Sequence, residues 1–275
     1  MSTTITTGAP VARTRRGLLR IASLPHRKRW WVEVLALLWL LLVYDTITNL
    51  APLRLQTALA NARGILHLEQ VLHLDPERAL DHWLAGHHTL ATILADYYDN
   101  AHFGVTLALL GWLWWRRADL YPPLRNLLVV VNLFGFLVFC LYPVAPPRML
   151  PGFTDVISST RAFGNFHHGA LASQANQLAA MPSLHMAWAA WCALALWRLS
   201  SRWWVRVLAL AYPCLTALVV MATGNHFVLD LLAGLAALAA TALLLNATRA
   251  VWHFRRSGAP YRLSQSCYEV GKQVD

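Results

Sequence analysis

Six long apolar runs constrain this chain more than anything else in its sequence. In lipid, every backbone N–H and C=O must find its partner within the spanning segment, so such runs become helices. A spanning helix needs about 20 mostly apolar residues. The runs lie at Trp30 to Leu50, Tyr97 to Trp115, Leu127 to Tyr142, Pro182 to Trp197, Trp203 to Thr223 and His226 to Asn246. Of the 275 residues, 57% are hydrophobic and 13% charged, a composition of integral membrane proteins rather than soluble domains. The expected fold is all-α, an integral membrane bundle of six transmembrane helices with an interfacial helical segment on its outer side. Residues 1–29 are expected to form a basic cytoplasmic tail, residues 30–250 the six-span membrane domain, and residues 251–275 a cytoplasmic C-terminal tail.

Charge sets the orientation. With the N-terminus inside, segments 1–29, 116–125, 198–206 and 247–275 carry seven, three, three and five basic residues, eighteen of the 23 in the chain. The outer segments hold only Arg54, Arg63, Arg78, Arg148 and Arg161. The positive-inside rule then places both termini in the cytoplasm and the His226 end of the last span outside. The net charge of +10 is accounted for by topogenic residues facing an anionic bilayer, so no nucleic-acid partner is implied. The first 29 residues lack the immediate hydrophobic core of a cleavable signal peptide. Cys140, Cys192, Cys214 and Cys267 are too widely spaced for a disulfide framework or a Cys-x2-Cys metal site.

Two outer segments interrupt the bundle. Leu53 to Leu74 alternates apolar and polar positions at helical spacing, as a surface helix does. Asp75-Pro76-Glu77 has the form of a helix start, with Asp75 as N-cap and Pro76 at the first position. Residues 143–181 are rich in Pro, Gly, Ser and Asn and should cover the outer face as a loop.

Three chemically distinctive groups fall at outer ends of three spans. Ala145-Pro146-Pro147-Arg148-Met149-Leu150-Pro151 fixes an arginine between prolines, and guanidinium is a natural fork for phosphate oxygens. Met181-Pro182-Ser183-Leu184-His185 opens a helix with proline first, leaving Ser183, His185 and free backbone N–H groups at an anion-favouring terminus. Asn225-His226-Phe227-Val228-Leu229-Asp230 sets a histidine and a carboxylate one turn apart, with Asn225 as N-cap. Asp230 can then hold one imidazole nitrogen of His226 while the other points outward as a nucleophile. Asp99 and His102, at the outer end of the second span, are further candidates for contact with a substrate, and so are Arg161, His167 and His168 on the outer loop.

These residues resemble the type 2 phosphatidic acid phosphatase superfamily of lipid phosphatases and phosphotransferases. Pro-Ser-Leu-His matches its second signature, commonly Pro-Ser-Gly-His. Gly-Asn-His226-x3-Asp230 followed by Gly234 matches the third, 41 residues between the two histidines. The resemblance covers roughly residues 90–246. Two positions depart from the pattern: Leu141 stands where a lysine usually precedes the arginine, and Val220 where an arginine usually precedes the second histidine. A cation-poor site with Pro-Ser-Leu-His is more similar to the inositol-phosphorylceramide synthase branch than to the soluble acid phosphatases.

The resemblance implies a metal-independent lipid phosphatase of the plasma membrane, working on a membrane lipid phosphate or diphosphate through a phosphohistidine at the extracytoplasmic face. His226 would be the nucleophile, Asp230 its orienting group, and His185 the acid and then the base. Arg148 and Ser183 would bind the phosphate, with Asp99, His102 and Asn225 as possible substrate contacts; no metal or other cofactor is implied. Transfer of an inositol-phosphate type head group to another lipid alcohol is the alternative. A di-metal oxidase, suggested by His82, His87 and His88 with His167 and His168, lacks the regular convergence of histidines such sites need. A non-enzymatic lipid transporter or scaffold would not depend on His226. Neither the lipid nor the oligomeric state can be read from the sequence.

Overall fold

The computed structural model describes residues 54–156 and 178–256, with separate helical positions between 31 and 43. The first expected span, both tails, Arg161, His167, His168 and Cys267 therefore lie wholly or largely outside the described residues. Among those described there is no strand. Seven α-helices follow in order: α1 Leu55–Val71, α2 Pro76–Ala85, α3 His88–Arg116, α4 Tyr121–Leu141, α5 Leu184–Leu199, α6 Trp203–Ala222 and α7 Val228–Arg256. A 3-10 turn, Pro147–Met149, and an isolated parallel bridge between Val144 and Ala179 lie between α4 and α5.

Among the described residues, three helices are long and apolar enough to cross a membrane: α4, α6 and α7 over Val228–Trp252. Leu208, Leu210 and Leu218 on α6, and Leu232, Leu243 and Leu244 on α7, are exposed, as lipid-facing residues would be. The six-span expectation is met in part. α5 is helical where the fourth span was expected but has only 16 residues. α3 has 29, but acidic residues Asp96 and Asp99 enter its apolar run. Boundaries also shift. α4 begins at Tyr121, with prolines in its first turn, six residues before Leu127, because Leu124 already packs in the core.

α5 is the centre of the bundle and touches α3, α4, α6 and α7. Its Ala187, Trp191 and Ala195 recur at helical spacing and pack against Leu113, Leu124, Val131 and Ala237 from three neighbouring helices. Trp191, fully buried, donates its indole N–H to the Leu124 carbonyl at 2.9 Å. Two glycines let helices close on the start of α5. A Cβ at Gly234 of α7 would stand 2.3 Å from the Ser183 carbonyl oxygen, and one at Gly135 of α4 would stand 2.8 Å from Leu184. Arg125 of α4 reaches Glu33 at 2.5 Å, tying the N-terminal helical positions to the bundle.

The surface helix expected between the first two spans exists as α1, but one face of it is buried. Ala58, Ala62, Ile65 and Glu69 recur at intervals of three and four, and the first three pack against Val144, Ala145, Leu150 and Phe227. α1 ends in a Schellman turn: Leu74 N–H reaches the Glu69 carbonyl at 2.8 Å, His73 N–H reaches Gln70 at 3.1 Å, and His73 is left-handed with φ 54. α2 then begins at Pro76 as its sequence indicates. Asp75 occupies the N-cap position without a side-chain capping bond.

Candidate active site

The site forms where the starts of α5 and α7 meet. Ser183 caps α5, its Oγ accepting from Met186 N–H at 3.3 Å, while its own N–H donates to the Asp230 carbonyl at 3.0 Å. Ser183 thus precedes the helix and Pro182 lies outside it, one correction to the expected register. α7 begins at Val228, so Asn225 is not its N-cap, a second correction. Asp230 stands at the third helical position, where its carboxylate reaches back to Phe227 N–H at 2.9 Å. Leu229 N–H donates to Glu69 Oε1 of α1 at 2.6 Å. Two carboxyl groups therefore occupy amides at the start of α7.

His226 is 4% exposed, enough only for a directed approach. Its Nδ1 lies 3.0 Å from the Ala180 carbonyl oxygen, which can only accept, so Nδ1 carries the hydrogen and Nε2 the lone pair. Asp230 Oδ2 is 3.5 Å from the same Nδ1. The expected Asp230 grip is therefore shared: the carbonyl takes the hydrogen bond, and the fully buried Asp230 carboxyl group lies beside it and supplies the helix cap. His226 Nε2 faces His185 Nδ1 at 3.3 Å, with ring centroids 5.4 Å apart.

Arg148 joins from the 3-10 turn after α4. Its backbone N–H donates to the Gly224 carbonyl at 2.9 Å and its guanidinium to Asn225 Oδ1, beside His226. Asp155 lies 4.0 Å from Arg148 Nε. The turn carrying Asn225 is left-handed at Gly224, φ 65, where a Cβ would meet Asp81 Oδ1 at 3.1 Å and Arg148 Cβ at 3.2 Å. Asn225 further donates to Thr223 Oγ1 at 2.8 Å, and the N–H groups of Asn225 and His226 both reach the Val220 carbonyl. Val220 itself is buried beside Met186 and Leu231, and Leu141 is exposed at the end of α4. Neither position adds a cation.

The structure brings His226, His185, Asp230, Ser183, Arg148 and Asn225 together. It adds His102, whose ring meets His185 edge-on at 4.3 Å, while Asp99 is buried one turn away on α3. His82 and His87 bond instead to backbone carbonyls, of Gly152 at 3.0 Å and of Trp83 at 2.7 Å. Among the described residues, no three His, Cys, Asp or Glu side chains are grouped to hold a metal.

Sequence reasoning missed Tyr98 and the buried acids Glu69, Glu77 and Asp81, all three fully enclosed. Burial, opposed by the Leu229 N–H bond and reinforced by the Glu77 carboxyl, pushes Glu69 up to about 9. Burial likewise raises Glu77 and Asp81, the latter also accepting from Thr154 N–H at 2.8 Å. Glu69 was detectable, being in phase with Ala58, Ala62 and Ile65 on the buried stripe of α1.

A sequence profile of the PAP2 superfamily matches residues 63–244, from within α1 to within α7. The chain belongs to the PAP2 superfamily. No curated protein and no solved structure matches it. PAP2 membership brings with it a lipid phosphoesterase kind of function. The matched region contains both histidines, Arg148 and the buried acids.

Proposed function

We propose that this PAP2 protein is a membrane lipid phosphatase acting through a phosphohistidine at the extracytoplasmic face of a six-span bundle. The observation that carries the reading is the state of His226, whose Nδ1 is committed to the Ala180 carbonyl while Nε2 faces a second imidazole. His226 Nε2 attacks phosphorus, the bond to the leaving oxygen breaks, and His185, protonated, gives its proton to that oxygen. Water then attacks the phosphohistidine, His185 takes a proton from it, and His226 is released with its Nε2 lone pair restored. Arg148, Ser183 and the amides at the start of α5 hold the remaining phosphate oxygens. The first amides of α7 are occupied by Asp230 and Glu69, which supports assigning the anion to α5.

The two imidazoles touch, so the phosphoryl group has to part them. In-line transfer places phosphorus about 3 to 3.5 Å from the nucleophile and the acid roughly 3 Å beyond the leaving oxygen, a separation of roughly 6 Å or more. His185 therefore moves outward as substrate enters.

A second reading is transfer to a lipid alcohol in place of water, as in the inositol-phosphorylceramide synthase branch. Among the described residues, Arg148 is the guanidinium bonded to Asn225, and apolar Leu141 and Val220 stand where the resembled family usually has cations, which favours it. Purified protein incubated with a panel of lipid phosphates, with and without alcohol acceptors, tests both. Phosphate release supports hydrolysis and a new phospholipid supports transfer; neither product across the panel contradicts the assignment.

A further inference from the structure

His185 is flanked by two rings of α3 as well as by His226. Tyr98 stacks on it at 4.6 Å with an interplanar angle of 25°, and His102 meets it edge-on at 4.3 Å and 63°. His102 is itself fixed: its Nδ1 donates to the Tyr98 carbonyl at 2.9 Å, one turn back along the helix. Behind it stand Trp188, at 5.7 Å, and Phe103, which meets Trp188 edge-on at 5.5 Å. Trp188 donates to Asn132 Oδ1 at 3.2 Å, and Asn132 donates to the Leu128 carbonyl at 2.7 Å. A continuous line of contacts thus runs from His185 through α3 and α5 to α4.

We infer that Tyr98 and His102 are positioning residues for His185, an aromatic shelf that guides this imidazole between contact with His226 and the leaving-group oxygen. The inference rests on the phosphotransfer reading above. Near-parallel faces slide over each other without losing contact, so the Tyr98 stack permits the outward shift that substrate entry demands. The His102 edge limits that travel and keeps the ring from turning away. The face of Tyr98 also favours the imidazolium over the neutral ring, the state in which His185 must meet a leaving alkoxide. His102 therefore acts through His185; its ring is engaged with side chains rather than placed as the substrate contact expected from sequence.

The test compares full-length protein in detergent with Tyr98→Leu, His102→Asn, Tyr98→Phe and His226→Ala, using the panel lipid phosphate on which the parent is most active. Asn keeps a donor for the Tyr98 carbonyl without the ring, and Phe keeps the stack without the hydroxyl. Tyr98→Leu and His102→Asn should each lower kcat by about tenfold to a hundredfold with KM within about twofold, because a small misplacement of a reacting group costs on that scale. Tyr98→Phe should stay within about twofold of the parent. Unchanged kcat, a rise in KM alone, or a Tyr98→Phe loss equal to that of Tyr98→Leu would overturn the shelf. If Tyr98→Leu is not recovered folded, His102→Asn decides by the same criteria. A parent activity that survives His226→Ala overturns the phosphotransfer reading and the shelf with it. Activity that needs His226 but ignores the α3 variants overturns the shelf alone.

Discussion

The tautomer of His226 is decided by a backbone carbonyl 46 residues away in sequence, Ala180, rather than by the carboxylate four residues along. One consequence separates the two contributions. Asp230→Asn should keep the cap on Phe227 through its amide oxygen and retain the reactive tautomer. Its turnover should fall less than that of His226→Ala, which should abolish nearly all of it. Removing His185 as His185→Ala takes away general acid and base catalysis and should cost about 10²- to 10⁴-fold in kcat. Because one imidazole must be neutral and the other protonated, the rate should follow a bell-shaped pH profile. A rate flat from about pH 5 to 9 would count against the pairing. The His-x3-Asp spacing made that pair legible, since residues one turn apart share a face, and the Pro-Ser-Leu-His helix start marked Ser183 and His185. Ala180 was not legible, because a backbone acceptor carries no side-chain signature. Tyr98 was hidden for a related reason: a tyrosine near a span end is ordinarily an interfacial anchor, and only tertiary contact makes it a ring support.

At the level of elements, the site depends on helix starts held at fixed separation. Gly234→Ala forces a Cβ into the Ser183 carbonyl, since 2.3 Å is far inside contact distance. It should lower stability by about 1 to 3 kcal/mol, read as thermal unfolding in detergent, and reduce kcat by displacing His185 from His226. α1 braces α7 through Glu69, which accepts from Leu229 N–H and whose carboxyl is raised from the usual 4.5 to about 9 by burial. Its ionisation is therefore easier in the unfolded chain. The stability it allows is present in full below about pH 4.5 and is lost as pH rises toward 9. Glu69→Gln keeps an acceptor for Leu229 N–H without the ionisation. Its advantage in melting temperature over the parent should be small at pH 5 and grow toward pH 9; an advantage independent of pH would contradict this. The apolar stripe of α1 was readable from sequence, but an interfacial helix accounted for it, so the acid on that stripe was not singled out. The register of α5 and α7 was missed because Pro182 and Asn225, good helix starters, serve instead in the turns that bring the two helix starts together.

For the molecule as a whole, hydropathy and basic residues together define a bundle with two distinct ends. The site residues gather at the end marked by Arg148, and Arg116, Arg117, Arg198 and Arg202 sit at connections between helices at the other. In a cysteine-free background, Pro151→Cys should react with a membrane-impermeant maleimide on intact cells and Ala118→Cys only after permeabilisation. The reverse pattern would invert the proposed topology. Apolar patterning exposed the helical bundle because a bilayer leaves the backbone little choice, whereas the lipid substrate depends on a surface that patterning does not describe. The central claim is that His226 carries the phosphoryl group. It is tested most directly by rapid quenching of the protein with lipid phosphates labelled at phosphorus. The account predicts an acid-labile, base-stable label on the parent that is absent from His226→Ala. Turnover of the same lipids with no such label, or with the label persisting in His226→Ala, would contradict it.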